Sequence, residues 1–205
     1  MITPLDNTIK GVMEFTWPMV IISILTISSL RIAHIIKNNE KFVLYKEIFS
    51  LLFLVYILCL FQIVTFEDTS IYIDGNNLVP FKEILRYKIG SRLFFKNVIG
   101  NIVLFIPYGL FATAYTKIDR AFHILCLILF ASITVEVTQL LIGRIFDIDD
   151  IILNLVGGFI GYSICMVGGT LGEKVPKLFK KTWFLNLLSI LLLGLGLGYI
   201  WMVMV

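Results

Sequence analysis

Six apolar runs of about twenty residues each constrain this chain more than anything else in it, because a helix of that length crosses a hydrocarbon core about 30 Å thick. They fall at 17–36, 47–66, 97–116, 121–142, 149–170 and 183–204. In lipid, only helices and closed barrels satisfy their own backbone hydrogen bonds, and runs this long read as helices. Of the 205 residues 59% are hydrophobic and 15% charged, with a mean hydropathy of +0.95, which excludes a soluble domain. The expected fold is therefore all-α: a polytopic transmembrane helix bundle of about six spans.

Charge placement predicts orientation. The links at 37–46, 117–120 and 171–182 carry Lys37, Lys41, Lys46, Lys117, Arg120, Lys174, Lys177, Lys180 and Lys181. The links at 67–96 and 143–148 carry Lys82, Arg86, Lys88, Arg92, Lys96 and Arg144, a smaller set over a longer stretch. Positive residues favour the cytoplasmic side, so both termini are expected outside, with the cluster at 82–96 pulling the other way. The first run follows a near-neutral leader with one lysine and no small-residue cleavage site, and reads as a span. A net charge of +3 gives no reason to expect nucleic acid. Cys59, Cys126 and Cys165 are scattered through apolar runs, as packing thiols are. The expected organisation is two N-terminal spans and the start of an outer loop (1–76), a core of outer loop and three spans (77–170), and a basic link with a C-terminal span (171–205).

The long 67–96 link is more than a connector. "SIYIDGNN" alternates and then offers a turn signal, predicting a small hairpin. After Pro80, "FKEILRYKIGSRLFFK" interleaves Phe81, Ile84, Leu85, Leu93, Phe94 and Phe95 with five cations, predicting an interfacial amphipathic segment broken at Gly90. Such a segment either joins two spans while its cations snorkel, or attracts anionic headgroups or a phosphate-bearing substrate. Small residues at Gly157-x-x-x-Gly161 and Gly194-x-x-x-Gly198 predict close helix packing.

The polar residues of the spans gather at one depth. "EVTQLLIGRIFDIDDIILNLVGG" (136–158) holds four carboxylates, an arginine, a glutamine and an asparagine. Glu136 and Gln139 share a helix face. Asp147, Asp150 and Asn154 follow one stripe that continues into Gly157 or Gly158 and Gly161. Asn97 and Asn101 open the third span, and Gln62 ends the second, on the same side. An ionised carboxylate within a span costs roughly 2.5–3.5 kcal/mol on insertion scales, which favours a bundle interior over lipid for Glu136. The alternatives are a hydrated or a neutral Glu136. Asp147 or Asp149 could cap the fifth helix, the reading preferred for Asp149. Arg144 could snorkel, pair with an aspartate, or present its planar fork to a phosphate or carboxylate. His34 and His123 lie apart, as interfacial residues.

"NLVPF" (77–81), "NVIGNIVLFIPYGLF" (97–111), Glu136-x-x-Gln139 and "GRIFDIDDIILNLVGGFIGY" (143–162) together resemble the VanZ-like family of bacterial membrane proteins, over residues of about 77–165. The resemblance implies a multi-pass protein of the bacterial cytoplasmic membrane, associated with the cell envelope, in a family whose name-giving member is linked to resistance to the glycopeptide teicoplanin. Its motif positions here are Asn77, Pro80, Asn101, Pro107, Gly109, Glu136, Gln139, Arg144, Asp147, Asp150, Asn154, Gly157 and Gly161. Independently of family, Pro107 removes a backbone donor in the third span and Gly109 allows close approach, which would shape a pocket.

The expected ligand-binding set is Asn101, Glu136, Gln139, Arg144, Asp147, Asp150 and Asn154, lining an outward-facing pocket. No metal or other cofactor is expected. The expected partners are membrane lipids and a lipid-linked wall precursor, an anionic lipid or a lipoglycopeptide antibiotic; no nucleic acid is expected. A membrane-embedded enzyme acting on a lipid-linked precursor, using the carboxylates or a divalent metal such as Mg²⁺, is the competing reading; no nucleophile motif accompanies them. A lipid transporter or flippase is a third, with no visible inverted repeat.

Overall fold

The computed structural model describes residues 4–66, 75–117, 120–174 and 181–204. It is helical, as the apolar runs predict. Long helices are α1 (Pro4–Asn38), α2 (Leu44–Phe66), α5 (Gly100–Thr116), α6 (Ala121–Leu141), α7 (Ile148–Lys174) and α8 (Thr182–Met204), with two short ones, α3 (Lys82–Arg86) and α4 (Arg92–Phe94), before α5. Among the described residues five stretches are long and apolar enough to cross a membrane: Trp17–Asn38, Leu44–Val64, Arg92–Thr116, Ala121–Leu141 and Ile148–Gly169. With 23 residues, α8 matches them in length. The chain is a multi-pass membrane protein.

It divides into two compact units. The first comprises Met1–Ile63 and Val175–Val205. There the guanidinium of Arg31 bridges Glu47, with Nε 3.1 Å from Oε2, and Glu40, with Nη1 3.0 Å from Oε2, closing the α1–α2 hairpin. An unsatisfied N–H at the start of α2, that of Tyr45, donates to Oδ1 of Asn186 on α8 at 3.0 Å, so a polar side chain inside an apolar helix caps a different helix.

The second unit, Val64–Lys174, holds the polar residues. The third span begins earlier than the apolar run suggests. Ser91 accepts from the Phe94 N–H at 3.1 Å, starting a helix that passes through a π-helical turn at Phe95–Ile99 into α5. Phe105, Ile124 and Ile128 form the buried core, with Tyr108, Val135, Leu155 and Tyr162 packed around them. The expected hairpin over 70–77 lies mostly outside the described residues. At its described end Asn77 pairs in parallel with Asp147.

α5 and α7 approach backbone to backbone. A Cβ added to Gly109 would lie 1.9 Å from the Gly158 carbonyl oxygen, one on Gly157 2.0 Å from that of Ile102, and one on Gly161 2.0 Å from that of Ile106. No side chain fits at any of the three, which is the close approach predicted from Gly157-x-x-x-Gly161 and Gly109. Gly194, the first of the second small-residue pair, leaves room for a Cβ, with nothing within 4 Å among the described residues. Gly157→Ala or Gly161→Ala should destabilise the protein by about 1–3 kcal/mol through overpacking. Gly168→Ala, where a Cβ meets nothing within 4 Å, should be neutral or gain up to about 1 kcal/mol of helix propensity. Thermal denaturation in detergent compares the three.

Candidate functional site

The polar end of this unit is built from three helix termini, and local backbone chemistry places each side chain. α6 ends in a glycine turn: Gly143 adopts φ +87°, its N–H bonds to the Leu140 carbonyl at 3.1 Å, and the Arg144 N–H reaches back to the Gln139 carbonyl at 2.9 Å. This pair of bonds is the glycine-stop geometry of helix C-termini. It folds Arg144 back beside Gln139. α7 then starts at Ile148 with Asp147 as its cap, Oδ1 accepting from the Asp149 N–H at 2.9 Å.

Glu136 lies one turn before the end of α6 and is 1% exposed. Its Oε2 accepts from the Asp147 N–H at 3.0 Å. With the Gln139 amide turned so that its nitrogen faces the carboxylate and its oxygen the guanidinium, the orientation its neighbours' chemistry requires, Glu136 Oε1 accepts from the amide nitrogen at 2.9 Å and the amide oxygen accepts from Arg144 Nη1 at 3.1 Å. Arg144 Nη1 also donates to the Val64 carbonyl at 3.0 Å. The arginine therefore forks onto neutral oxygens, and an amide stands between it and the carboxylate. Both oxygens of Glu136 are satisfied, the condition for retaining a buried carboxyl group without a direct ion pair.

Asn101, at the start of α5, donates through Nδ2 to Oδ1 of Asp150. This contact joins α5 to α7 just above their glycine contact. Asp150 is within Coulombic reach of Glu136, Asp147 and Arg144. Asn154 sits one turn further along α7, where its amide donates to the Ser132 hydroxyl at 3.0 Å; both are buried. Of the seven expected site residues, Glu136, Gln139, Arg144 and Asp147 thus form one hydrogen-bonded chain. Asn101 and Asp150 form a pair beside it, and Asn154 belongs to a deeper pair.

Three residues outside the expected set take part. Ser132 lies one turn before Glu136 on the same helix face, and that spacing was available as a signal. Asn77 is buried and donates through its side chain to Asp147 Oδ1 at 2.7 Å, while its main chain bonds Phe146 and Ile148 at 2.9 and 3.0 Å. Asp149 corrects the preferred reading that it caps its own helix. Its carboxylate accepts the backbone N–H groups of Phe81, Glu83 at 2.7 Å and Ile84 at 3.1 Å. It caps α3, whose own N-cap, Phe81, supplies no side-chain bond and sits at φ +67°. Asp147 is the residue that caps α7. The segment from Asn76 to Ile84 is consequently strapped across the first turn of α7.

Gln62 is buried but belongs to the first unit. His34 pairs with Glu40 at 3.3 Å in that unit. Among the described residues no group of three or more His, Cys, Asp or Glu is arranged to hold a metal ion.

The VanZ/LLP1 family model matches residues 48–169, more than half of the chain and nearly all of the second unit. The chain belongs to the VanZ/LLP1 family. It is also 36% identical over 72 residues to Protein VanZ of Enterococcus faecium, a stretch covering 34% of this chain and 44% of that protein. The chain thus matches less than half the length of this relative. No solved structure matches. In this VanZ/LLP1 chain the four sequence pieces quoted above converge: "NLVPF" is the strap, "NVIGN" brings Asn101, and the two pieces from α6 and α7 bring the carboxylates.

Asp149→Ala should release the strap. Three backbone N–H groups lose a charged acceptor, so amide exchange at Phe81, Glu83 and Ile84 should accelerate by about tenfold or more, with the middle of α7 unaffected. Hydrogen–deuterium exchange by mass spectrometry reads this directly. Burial raises the Asp147 carboxyl above the ordinary aspartate range; the Asp149 N–H and the Asn77 amide pull it back, and the Asp149 and Glu83 charges add to the rise. A folded value above the unfolded one means that its favourable contribution is complete below about pH 3.9 and is lost as pH rises through the raised value. Asp147→Asn should flatten the stability–pH curve in that window, as measured by denaturation at a series of pH values.

Proposed function

We propose that the polar end of α5, α6 and α7 is the binding site for the headgroup of a lipid-linked or amphiphilic envelope ligand, and that the protein contributes through it to glycopeptide resistance of the teicoplanin type. The observation that carries this reading is the Glu136–Gln139–Arg144–Asp147 chain, with Glu136 and Gln139 buried and Arg144 and Asp147 half-buried, at the end of three apolar, membrane-crossing helices. A purely structural bundle gains nothing from desolvating a carboxylate there, and ionisable groups within spans mark function by default.

The chemistry favours a ligand rich in hydroxyl, amide or amine donors. Glu136 and Asp150 lie within Coulombic reach of Arg144, and Asp147 and Asp149 stand at the same first turn of α7 as Asp150, so the region is rich in acceptors. Nε and Nη2 of Arg144 make no hydrogen bond among the described residues and offer two donors to an anionic group. Sugar and peptide headgroups on a lipid present both kinds of group, and the apolar flanks of the spans suit the lipid tail. The family membership and the partial match to Protein VanZ support the envelope setting. On this reading the protein sits in the bacterial cytoplasmic membrane with its polar end outward, and it shields or sequesters the precursor that the antibiotic would reach.

Expression in a glycopeptide-sensitive host should lower teicoplanin susceptibility, and Glu136→Gln, produced at equal level in the membrane, should return susceptibility to that of the empty vector. A host whose susceptibility is the same with the native protein, the variant and the empty vector would count decisively against the assignment.

A further inference from the structure

The strap and the segment that follows it carry a second surface, distinct from the carboxylate end. Two spans fix its depth. It is covalently continuous with the span beginning at Arg92, and it is bonded through Asn77 and Asp149 to the start of the span at Ile148. A segment tied to the ends of two neighbouring spans lies at the membrane–water boundary.

Its side chains suit that boundary and no aqueous one. Leu78, Val79, Phe81, Leu85, Ile89, Leu93 and Phe95 are all more than half exposed, Leu85 reaching 81% and Ile89 84%. Interleaved with them are Lys82, Arg86, Lys88, Arg92 and Lys96, five cations against one acid, Glu83. Glu83 is held by Arg86 at 3.3 Å, and Lys82, Lys88 and Arg92 make no ion pair among the described residues. Gly90, at φ +82°, turns the chain between the two short helices. Exposed apolar groups alternating with uncompensated cations along one interfacial element match a leaflet of acyl chains topped by anionic phosphates.

We infer that residues 78–96 form an interfacial foot that selects anionic phospholipids from the surrounding leaflet, with Leu85 and Ile89 seated among the acyl chains and Lys82, Lys88 and Arg92 on headgroup phosphates. Asp149 is its positioning residue, because the three N–H bonds it accepts set the orientation of α3.

The full-length protein is reconstituted in nanodiscs of equimolar phosphatidylglycerol and phosphatidylcholine, and the lipids retained on release are counted by native mass spectrometry. Phosphatidylglycerol should be retained over phosphatidylcholine by about fivefold, falling by about threefold or more in Lys88→Gln/Arg92→Gln and weakening with salt. Lys46→Gln, a cation on α2, should keep the native preference. Equal retention of the two lipids by the native protein, an unaltered preference in the double variant, or an equal loss in Lys46→Gln overturns the proposal. So does displacement of phosphatidylglycerol by millimolar inorganic phosphate, which would assign the cations to a free-phosphate site. A second measurement needs no charge change: Leu85→Trp in liposomes should be quenched by lipids brominated near the headgroup, read as the difference from the native protein, whereas an unquenched Trp refutes the seat.

Discussion

The contact between α5 and α7 sets the frame on which everything polar in this protein rests. Gly109, Gly157 and Gly161 bring two backbones together with no side chain between them. At that separation Asn101 on one helix reaches Asp150 on the other. Between helices in lipid the hydrophobic effect supplies no net attraction, so van der Waals contact and a few polar bonds must hold them. Here the glycines supply the first and the Asn101–Asp150 pair the second, at adjacent levels of the same interface. α6 is added through side chains: Ile128 fills the space over Gly158, and Ser132 accepts from Asn154. The core is apolar at Phe105, Ile124 and Ile128 and becomes progressively more polar toward Glu136.

That gradient explains how a buried glutamate is tolerated. Its two oxygens accept from one backbone and one side-chain donor: the Asp147 N–H, freed because it precedes α7, and the Gln139 side-chain amide, one helical turn away. Arg144 supplies charge at one remove. An arginine bonded directly to Glu136 would form a closed pair in which each partner satisfies the other. The amide between them leaves part of the guanidinium uncommitted, and this, more than the burial of the glutamate, separates the arrangement from a structural ion pair.

Much of the bundle was legible in the sequence because its signals are local. Span lengths follow from hydropathy, Glu136 and Gln139 share a face by helical spacing, and Gly157 and Gly161 announce a close packing surface. What escaped was long-range. Asp149 is 66 positions from Glu83 and stands where a helix cap belongs; no periodicity says that its carboxylate crosses to another helix while Asp147 takes the cap. Asn154 lies on the same stripe as Asp150, so the stripe was right, but the drop of one turn carries it away from the carboxylates and onto Ser132. Ser132 reads as one more small residue in an apolar run until the helix face containing Glu136 is drawn.

The first turn of α7 concentrates these contacts. Three aspartates within four residues point in three directions: Asp147 toward Asn77 and its own helix, Asp149 toward α3, and Asp150 toward α5. Gathering carboxylates at a helix N-terminus is favourable because the unpaired N–H groups there carry a partial positive charge, typically worth 0.3–1 kcal/mol per group. The helix end therefore offsets part of the mutual repulsion that would otherwise spread the aspartates apart. The consequence is mechanical as well as electrostatic. A ligand that altered the bonding of Asp147 would act on the same turn that holds the strap, and the strap carries the apolar, basic surface at the membrane boundary. The carboxylate cluster and the strap thus share one helical turn, and the link between them is Asp149, which from its position alone reads as nothing more than a helix cap.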